Sequence, residues 1–196
     1  MSDSQITKKA IAVSLKQLMD RRGLKKITVS DIVRNCGLNR QTFYYHFEDK
    51  YDLINWIFYN DVIKSVVSNR KTYDDLDSMM LKMLGVMESE KPFYMQAFNS
   101  AGQDTFQKYF FDVTKGLISE ILDTMKEAKD IEDDDKNFIV EFYTYGLVGI
   151  IAQWVRNGMK EAPEKLVGRL RHFIDDSKRF AAARYLKEIK SEDEGG

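Results

Sequence analysis

The chain has 196 residues, of which 43% are hydrophobic and 31% are charged, a balance typical of a soluble globular protein with one or two small domains. Its single cysteine, Cys36, excludes an internal disulfide, and the first residues lack the apolar segment of a signal peptide, so a cytoplasmic protein is expected. The longest apolar stretch, residues 146–152, is too short to cross a bilayer, and we expect no membrane partner.

Charge is divided unevenly along the chain. Residues 1–70 carry 12 Lys and Arg against 7 Asp and Glu, whereas the remainder carries 18 against 24. A basic first part beside an acidic remainder indicates one end that binds a polyanion and another end that binds something else.

The first two predicted helices are separated by a glycine and a capping residue. Apolar residues recur at helical spacing from Ile6, and Gly23 ends this helix. Thr28 is predicted to cap a short helix over residues 29–36, because its hydroxyl can accept a hydrogen bond from the next turn. Asp31, three residues later, completes an approximate capping box.

A second short helix follows after a tight turn. Gly37 is the predicted left-handed residue that ends the preceding helix, and Asn39 is predicted to cap a helix over residues 40–47. Two short helices joined at a glycine turn and preceded by a longer helix form a helix-turn-helix unit. A fourth helix is predicted over residues 50–69.

The remainder is predicted to be helical throughout, with breaks at polar residues, glycines and prolines. Five further helices are predicted. The first two cover residues 76–90 and residues 92–98, with Pro92 in the first turn of the second, and the third is capped by Asp104 and runs to 125. The fourth covers residues 138–157 and is stopped by Gly158, and the last is opened by Pro163 and runs towards 189. We therefore expect an all-α protein of about nine helices. It comprises a helix-turn-helix domain (1–50), a larger helical effector-binding and dimerisation domain (51–190) and a flexible tail (191–196).

The second short helix has side chains suited to the major groove of DNA. Phe43 and Phe47 lie four residues apart and are expected to face the core. On the opposite side, Arg40 can form paired hydrogen bonds to guanine and Gln41 to adenine. Tyr45 can lie against a thymine methyl group. These three residues are the candidates for base recognition.

Other residues of the same segment are candidates for phosphate contacts, which fix the register of a protein on DNA without selecting a sequence. They are Thr42, Tyr44 and His46 on the helix, Thr28 at the start of the preceding helix, and Lys50 at the start of the next one.

The segment from 27 to 50, ITVSDIVRNCGLNRQTFYYHFEDK, resembles the TetR/AcrR family of bacterial transcriptional regulators. Six residues match the family pattern position by position: Thr42, Phe43, Tyr44, His46, Phe47 and Lys50. Asn39 replaces the serine that is often found there, and both residues are good helix caps. The resemblance implies a sequence-specific regulator that binds a pseudo-palindromic site in double-stranded DNA as a homodimer and responds to an effector.

A narrower resemblance concerns the branch that includes dihydroxyacetone-kinase regulators. It is carried by RQTFY at 40–44, DKYDLINWIF at 49–58 and WVRNGMKE at 154–161. This resemblance implies a regulator whose larger domain binds a protein co-regulator instead of a small molecule, and that acts as an activator.

Methionines and aromatic residues of the larger domain are candidates for an effector pocket, since flexible and aromatic walls suit adaptable binding. The candidates are Met83, Met87, Phe98, Phe106, Phe110, Phe142 and Tyr145. The alternative is ordinary core packing, which the sequence does not exclude.

The last two predicted helices carry candidates for a dimer interface: Gly146, Gly149, Ile150, Gln153, Leu166, Leu170 and Phe173. The family resemblance implies that these helices form the dimer, whereas the sequence alone fits an intramolecular core equally well.

An enzyme is not expected. The sequence has no nucleophile–base set, no glycine-rich phosphate loop and no metal-ligand cluster, so no catalytic residue, metal or cofactor is predicted. His46 is interpreted as a phosphate contact or a packed ring and not as a metal ligand, because His172 is distant in sequence.

Overall fold

A computed structural model of the protein describes residues 3–66, 72–99, 103–129 and 131–193, and within these ranges it contains helices and no strands. The α-helices are α1 (Asp3–Arg21), α2 (Val29–Asn35), α3 (Arg40–His46), α4 (Lys50–Phe58), α5 (Lys64–Val66), α6 (Leu76–Ser89), α7 (Lys91–Asn99), α8 (Gln103–Thr124), α9 (Asp133–Arg156) and α10 (Pro163–Asp193). Three short 3₁₀ turns, at Leu24–Lys26, Tyr73–Asp75 and Lys126–Ala128, were not predicted. The predicted all-α class is confirmed.

Helices α1 to α3 form the helix-turn-helix unit. Ile11 and Leu15 of α1, Ile32 of α2 and Phe43 of α3 are fully buried, and Phe47 is 3% exposed. Each such side chain contributes roughly 1.5–3 kcal/mol when it leaves water. The buried positions therefore account for the packing of α1 on α2 and of α2 on α3.

Helix α4 continues without interruption through a π turn (Tyr59–Ile63) into α5, so the two helices form one rod. This rod corresponds to the predicted fourth helix. Its last predicted residues, 67–69, lie outside the described residues. π turns are rare and interrupt the regular α-helical hydrogen-bond ladder, so this helix changes its geometry at a defined point.

Helices α4 to α9 form the core region, at whose centre lies Phe58. Its ring makes edge-on contacts with the rings of Phe106 and Phe110, with centroid distances of 5.6 and 5.5 Å, and with Tyr94 at 6.3 Å. Phe98 contacts Phe106 at 5.0 Å. Such perpendicular aromatic pairs add about 0.5–1.5 kcal/mol each beyond the area they bury.

Several helix boundaries differ from the prediction by a few residues. Asp104, predicted as a cap, lies inside the first turn of α8, and α9 begins at Asp133, five residues earlier than expected. Gly158 follows α9 with a φ of +78°, the left-handed conformation that favours glycine, so the predicted stop is confirmed.

The chain divides into two compact units, residues 1–160 and residues 161–196. The second unit contains α10, which Pro163 opens as predicted, and within it Arg169 pairs with Glu161 at 3.1 Å. Helix α10 continues to Asp193 and so includes the first half of the predicted tail; residues 194–196 lie outside the described residues.

Helix α9 is long and apolar enough to cross a membrane when only length and composition are considered. One third of its most apolar window is buried within the protein, and apolar helices of soluble proteins meet the same criterion. The expectation that no segment has the length of a membrane span therefore does not hold for this helix.

Candidate nucleic-acid interface

The N-terminus of α2 is fixed by a complete capping box. The Thr28 hydroxyl accepts a hydrogen bond from the Asp31 backbone N–H at 3.2 Å, and the Asp31 carboxylate accepts one from the Thr28 backbone N–H at 2.9 Å. Arg22 pairs with this carboxylate at 3.0 Å. The hydrogen bonds from Thr28, together with Arg22, lower the pKa of Asp31 to about 2. The predicted cap is confirmed.

The turn between α2 and α3 depends on Gly37, whose φ of +69° favours glycine. The Leu38 N–H donates to the Val33 carbonyl at 2.9 Å, which closes the end of α2 in the manner of a Schellman motif. Cys36 is half-buried and its thiol donates to the Ile32 carbonyl at 3.3 Å, so it serves as a small packed residue of the turn.

Helix α3 is capped at one end and held by two phenylalanines. The Asn39 side-chain oxygen accepts hydrogen bonds from the Thr42 backbone N–H at 2.8 Å and from the Thr42 hydroxyl at 3.0 Å. Phe43 and Phe47 are buried with their ring centroids 5.7 Å apart. Because one side of this two-turn helix is buried and its start is capped, its opposite side has a defined orientation.

That opposite side, here called the outer face of α3, comprises Arg40, Gln41, Tyr44 and Tyr45, all of which are exposed. Tyr45 is 83% exposed and Tyr44 is 50% exposed, unusual values for large aromatic side chains. The Arg40 guanidinium lies over the Tyr44 ring at 5.8 Å from its centroid and donates to the Tyr44 hydroxyl at 3.4 Å. The outer face thus displays hydrogen-bonding and aromatic groups that folding itself does not use.

His46, at the end of α3, lies between the outer face and the core. Its imidazole is half-buried, with its ring centroid 4.9 Å from that of Tyr45. Burial, followed by the positive charge of Lys8, lowers the pKa of His46. Lys8 also lies over the Phe47 ring at 5.7 Å, so α1 adds a positive charge to this side of the helix-turn-helix unit.

Lys50 lies at the start of α4, as predicted, and its side chain is bonded within the protein. Its ammonium group donates hydrogen bonds to the backbone carbonyls of Ile27 at 2.8 Å and Leu24 at 2.9 Å, with Lys25 at 3.5 Å. Burial lowers the pKa of Lys50. Since its donors are directed at the loop between α1 and α2, Lys50 stabilises that loop, and we do not retain it as a phosphate contact.

A polar contact inside the helix-turn-helix unit was not predicted. Ser14 is buried on α1, and its hydroxyl donates to the Ile32 carbonyl at 2.6 Å and accepts from the Asn35 side chain at 3.1 Å. Asn35 also donates to Gln17 at 3.0 Å. The signal in the sequence was a serine at a position of α1 that faces the core. These bonds join α1 to α2 and so fix the support on which α3 rests.

Most of the residues predicted to line an effector pocket are packed in the core or lie on the surface. Met87, Phe98, Phe106 and Phe110 are packed in the core, because Phe58 and its neighbours fill the space between them. Phe142 and Tyr145 are on the surface, 59% and 68% exposed, because this side of α9 faces outwards. Among the predicted residues, Met83 lines a cavity formed by the described residues.

That cavity lies between α5, α6, α8 and α9 and has a volume of about 50 Å³. Its lining residues are Ile63, Val66, Leu76, Met79, Met80, Met83, Thr114, Leu117, Ile118, Ile121, Leu147 and Ile151. The Thr114 hydroxyl donates to the Phe110 carbonyl of its own helix at 2.7 Å. The cavity is therefore apolar, and it is smaller than the pockets of a few hundred Å³ that hold drug-sized ligands.

The predicted dimer residues fall into two groups. Gly146, Gly149, Ile150 and Gln153 of α9 are exposed, and so is Phe173 of α10. Leu166 and Leu170 are only 4% and 6% exposed. These two leucines expose little surface to a second chain, and their place in a dimer interface stays a prediction.

Within the described ranges, no group of three or more His, Cys, Asp or Glu side chains is arranged to hold a metal ion.

Two family models match the chain. Residues 13–57 match the model described as bacterial regulatory proteins, tetR family, which spans the second half of α1, α2, α3 and most of α4. Residues 74–176 match the model described as transcriptional regulator C-terminal region. The second match alone covers more than half of the chain.

Individual relatives agree with these matches. The chain is 27% identical over 172 residues to the HTH-type dhaKLM operon transcriptional activator DhaS of Lactococcus lactis subsp. lactis (strain IL1403), covering 87% of this chain and 89% of the relative. A solved structure of the dihydroxyacetone kinase operon activator DhaS has a TM-score of 0.70 and 25% identity, covering 89% of this chain and 97% of the other.

A second solved structure supports the fold alone. NalD, the secondary repressor of the MexAB-OprM multidrug efflux pump in Pseudomonas aeruginosa, has a TM-score of 0.57 at 16% identity, covering 86% of this chain and 94% of NalD. The capped helix-turn-helix unit, the two family models and the similarity to DhaS lead to one conclusion. The chain belongs to the TetR family of bacterial regulatory proteins and is a transcriptional regulator, not an enzyme.

Proposed function

We propose that the protein binds a specific operator in double-stranded DNA and that the outer face of α3 recognises its bases in the major groove. The observation that carries this proposal is the exposure of Arg40, Gln41 and Tyr45 on a short helix whose other side is buried. Arg40 suits guanine, Gln41 suits adenine and Tyr45 suits a thymine methyl group. These side chains take little part in folding, so binding accounts for their chemistry.

Phosphate contacts come from the surroundings of α3. Thr42, Tyr44 and His46 lie on or beside the outer face, and the N-termini of α2 and α3 present backbone N–H groups that attract phosphate oxygens. The Thr28 hydroxyl is engaged by Asp31, so we propose that Thr28 acts by fixing the start of α2. These contacts fix the register of the protein on DNA.

A homodimer is the proposed binding form. Phe138, Phe142, Tyr145 and Ile150 form an exposed apolar stripe along α9, together with Gly146, Gly149 and Gln153, at intervals of three and four residues. TetR-family regulators bind DNA as dimers, and a second copy would cover this stripe. We propose the stripe as a dimer surface and not as a membrane span, with the protein in the cytoplasm. Phe173 of α10 is also exposed and is a further candidate.

We propose two domains: residues 1–50 bind DNA, and residues 51–190 respond to the effector.

A second candidate function is favoured by one observation. The described cavity is small and apolar, so a protein co-regulator that binds the surface of the larger domain is better supported than a drug-sized ligand. The similarity to DhaS, a transcriptional activator, supports the same candidate.

The proposed function is tested by selecting bound fragments from the source genome and titrating the recovered operator with variants of Arg40. Arg40→Ala is expected to weaken binding by about 1–3 kcal/mol and to relax the preference at one base pair, because the paired hydrogen bonds to guanine are lost. Arg40→Lys keeps the charge and is expected to lose the same preference with a smaller loss of affinity.

The control is Lys126→Ala, which removes an exposed cation outside the helix-turn-helix unit and is expected to leave binding unchanged. If Arg40→Ala left both affinity and base preference intact, α3 would not be the recognition helix. Recovery of no enriched fragment would count against sequence-specific binding altogether.

A further inference from the structure

The side chain of Gln96 joins α7 to the backbone of the helix-turn-helix unit. Its Nε2 donates a hydrogen bond to the Met19 carbonyl at 2.7 Å, and its Oε1 accepts one from the Leu24 N–H at 2.9 Å. Met19 lies in the last turns of α1 and Leu24 begins the 3₁₀ turn that leads to α2; both residues are 2% exposed. A single amide thus holds both sides of the chain reversal between α1 and α2.

A second connection lies nearby on α1. The Lys16 ammonium pairs with Asp61 at 2.8 Å and with Glu90 at 3.2 Å, and it lies over the Phe93 ring at 5.5 Å from the centroid. Asp61 belongs to the π turn between α4 and α5, and Glu90 lies between α6 and α7. The Lys16 ammonium therefore links the helix-turn-helix unit to two separate segments of the core region.

The contacts of Gln96 and Lys16 supplement the covalent connection between the helix-turn-helix unit and the core region. The helix-turn-helix unit continues into the core region through α4, and a single helical connection leaves rotation about the helix axis weakly restrained. Gln96 attaches the chain reversal between α1 and α2 to α7, and Lys16 attaches α1 to the π turn of the rod and to Glu90 before α7. Their hydrogen bonds are directional and use both groups of the Gln96 amide, so they fix an angle as well as a distance.

We propose that Gln96 and Lys16 are positioning residues for operator recognition, which fix the orientation of the helix-turn-helix unit on the core region. In a dimer this orientation determines the distance between the two α3 helices, and so the half-site spacing that the protein accepts. The inference rests on the proposed function, since it requires a dimer that binds two half-sites.

The connections also offer a route for control. Ile63 and Val66, which follow Asp61 in the same rod, line the apolar cavity together with methionines of α6. A change in the packing of this wall would move the π turn that holds Lys16.

The test compares operators that differ only in half-site spacing. One inserted base pair rotates a half-site by about 34° and moves it by about 3.4 Å. The wild-type protein is expected to lose at least roughly tenfold in affinity on this operator, the factor that one lost base contact produces. Gln96→Leu removes both hydrogen bonds and is expected to lose less than about threefold on the same change, while binding an isolated half-site like the wild type.

Two further variants keep the test decisive. Gln107→Leu is the matched control, because the Gln107 Nε2 has no hydrogen-bond partner among the described residues, and the spacing preference of this variant should equal that of the wild type. Lys16→Met removes the second connection and should also relax the spacing preference, which covers the case in which Gln96→Leu does not fold. Faster hydrogen exchange of the Leu24 amide in Gln96→Leu would report the loss of its acceptor directly.

The outcomes separate this inference from the proposed function. An unchanged spacing penalty in both Gln96→Leu and Lys16→Met would overturn the inference. Equal losses of affinity on the half-site and on the full operator would also overturn it, because they would indicate a general weakening of the helix-turn-helix unit. If the wild-type protein bound no operator, the proposed function itself would fail.

Discussion

The helix-turn-helix unit and the core region are stabilised by different kinds of contact. In the first, polar groups close together in the sequence fix the helix starts, as Thr28 does with Asp31 and Asn39 with Thr42. In the core region, aromatic rings from distant parts of the chain meet edge-on around Phe58. Phe58, Phe106 and Phe110 are buried, whereas Tyr44 and Tyr45 of α3 are exposed.

This difference matches what each region is proposed to do. Hydrogen bonds restrict direction, so a capped and pinned α3 presents its side chains to DNA in one orientation. Apolar contacts depend on volume more than on direction, and the methionines around the cavity can repack at small cost. Local polar contacts therefore keep the region proposed to recognise DNA rigid. Apolar contacts leave the region proposed to respond to an effector adaptable.

The largest expected effect comes from an aromatic residue at the centre of the core region. Phe58→Ala is expected to lower the free energy of unfolding by about 3–5 kcal/mol, because it removes a buried ring and leaves a cavity among four aromatic neighbours. Urea unfolding followed by circular dichroism measures the change.

The matched control is an aromatic residue of the other region. Tyr45→Ala, at a side chain that is 83% exposed, is expected to change stability by less than about 0.5 kcal/mol. The same substitution should weaken operator binding. Equal losses of stability in the two variants would remove the contrast between the regions.

An intermediate effect is expected where the two regions meet, at the start of α4. Lys50→Met is expected to lower the free energy of unfolding by about 1.5–3 kcal/mol, because the carbonyls of Leu24 and Ile27 lose a charged donor. The dependence of operator affinity on salt should stay the same, because the Lys50 ammonium donates to these carbonyls and is not free to pair with a phosphate. Lys26→Met, at an exposed lysine of the neighbouring turn, controls for loss of charge.

A different result is expected if Lys50 contacts a DNA phosphate. A phosphate contact would lower the slope of log affinity against log salt by about 0.9 and leave stability nearly unchanged. Thermal unfolding and titrations at two salt concentrations distinguish these outcomes.

How far the structure follows from the sequence depends on the separation of the contacting residues. The caps at Thr28 and Asn39 could be predicted, because each bonds to a residue three positions later. The left-handed glycines at 37 and 158 follow from the same local rules. Together with helical periodicity, these contacts were sufficient to predict the helix-turn-helix unit and its outer face.

Contacts across the chain could not be predicted in this way. Periodicity shows that α9 has an apolar face, yet which of its residues face inwards depends on α7 and α8, and Phe142 and Tyr145 proved to be exposed. The partners of Gln96 are 72 and 77 residues away, and nothing in its neighbourhood distinguishes it from a surface glutamine. Lys50 likewise matched a family position, but its carbonyl partners are more than twenty residues away.

The smallest expected effect concerns His46, which lies where the rigid outer face meets the buried side of α3. Burial lowers its pKa in the free protein, so the neutral imidazole is favoured there at neutral pH. A DNA phosphate beside the ring would favour the charged form and raise the pKa in the complex. Binding would then take up a proton, and operator affinity should increase as the pH falls from about 8 to about 6, by less than about tenfold per pH unit, the limit for one proton.

The two histidines of the chain make this prediction easy to control. His46→Gln should give an affinity that is flat over this pH range, whereas His172→Gln, at an exposed position of α10, should keep the wild-type slope. A flat profile in the wild type would mean that His46 is a packed ring that supports Tyr45 and does not contact phosphate. The comparison therefore decides whether the phosphate contacts of α3 end at Tyr44 or include His46, the last residue of the helix.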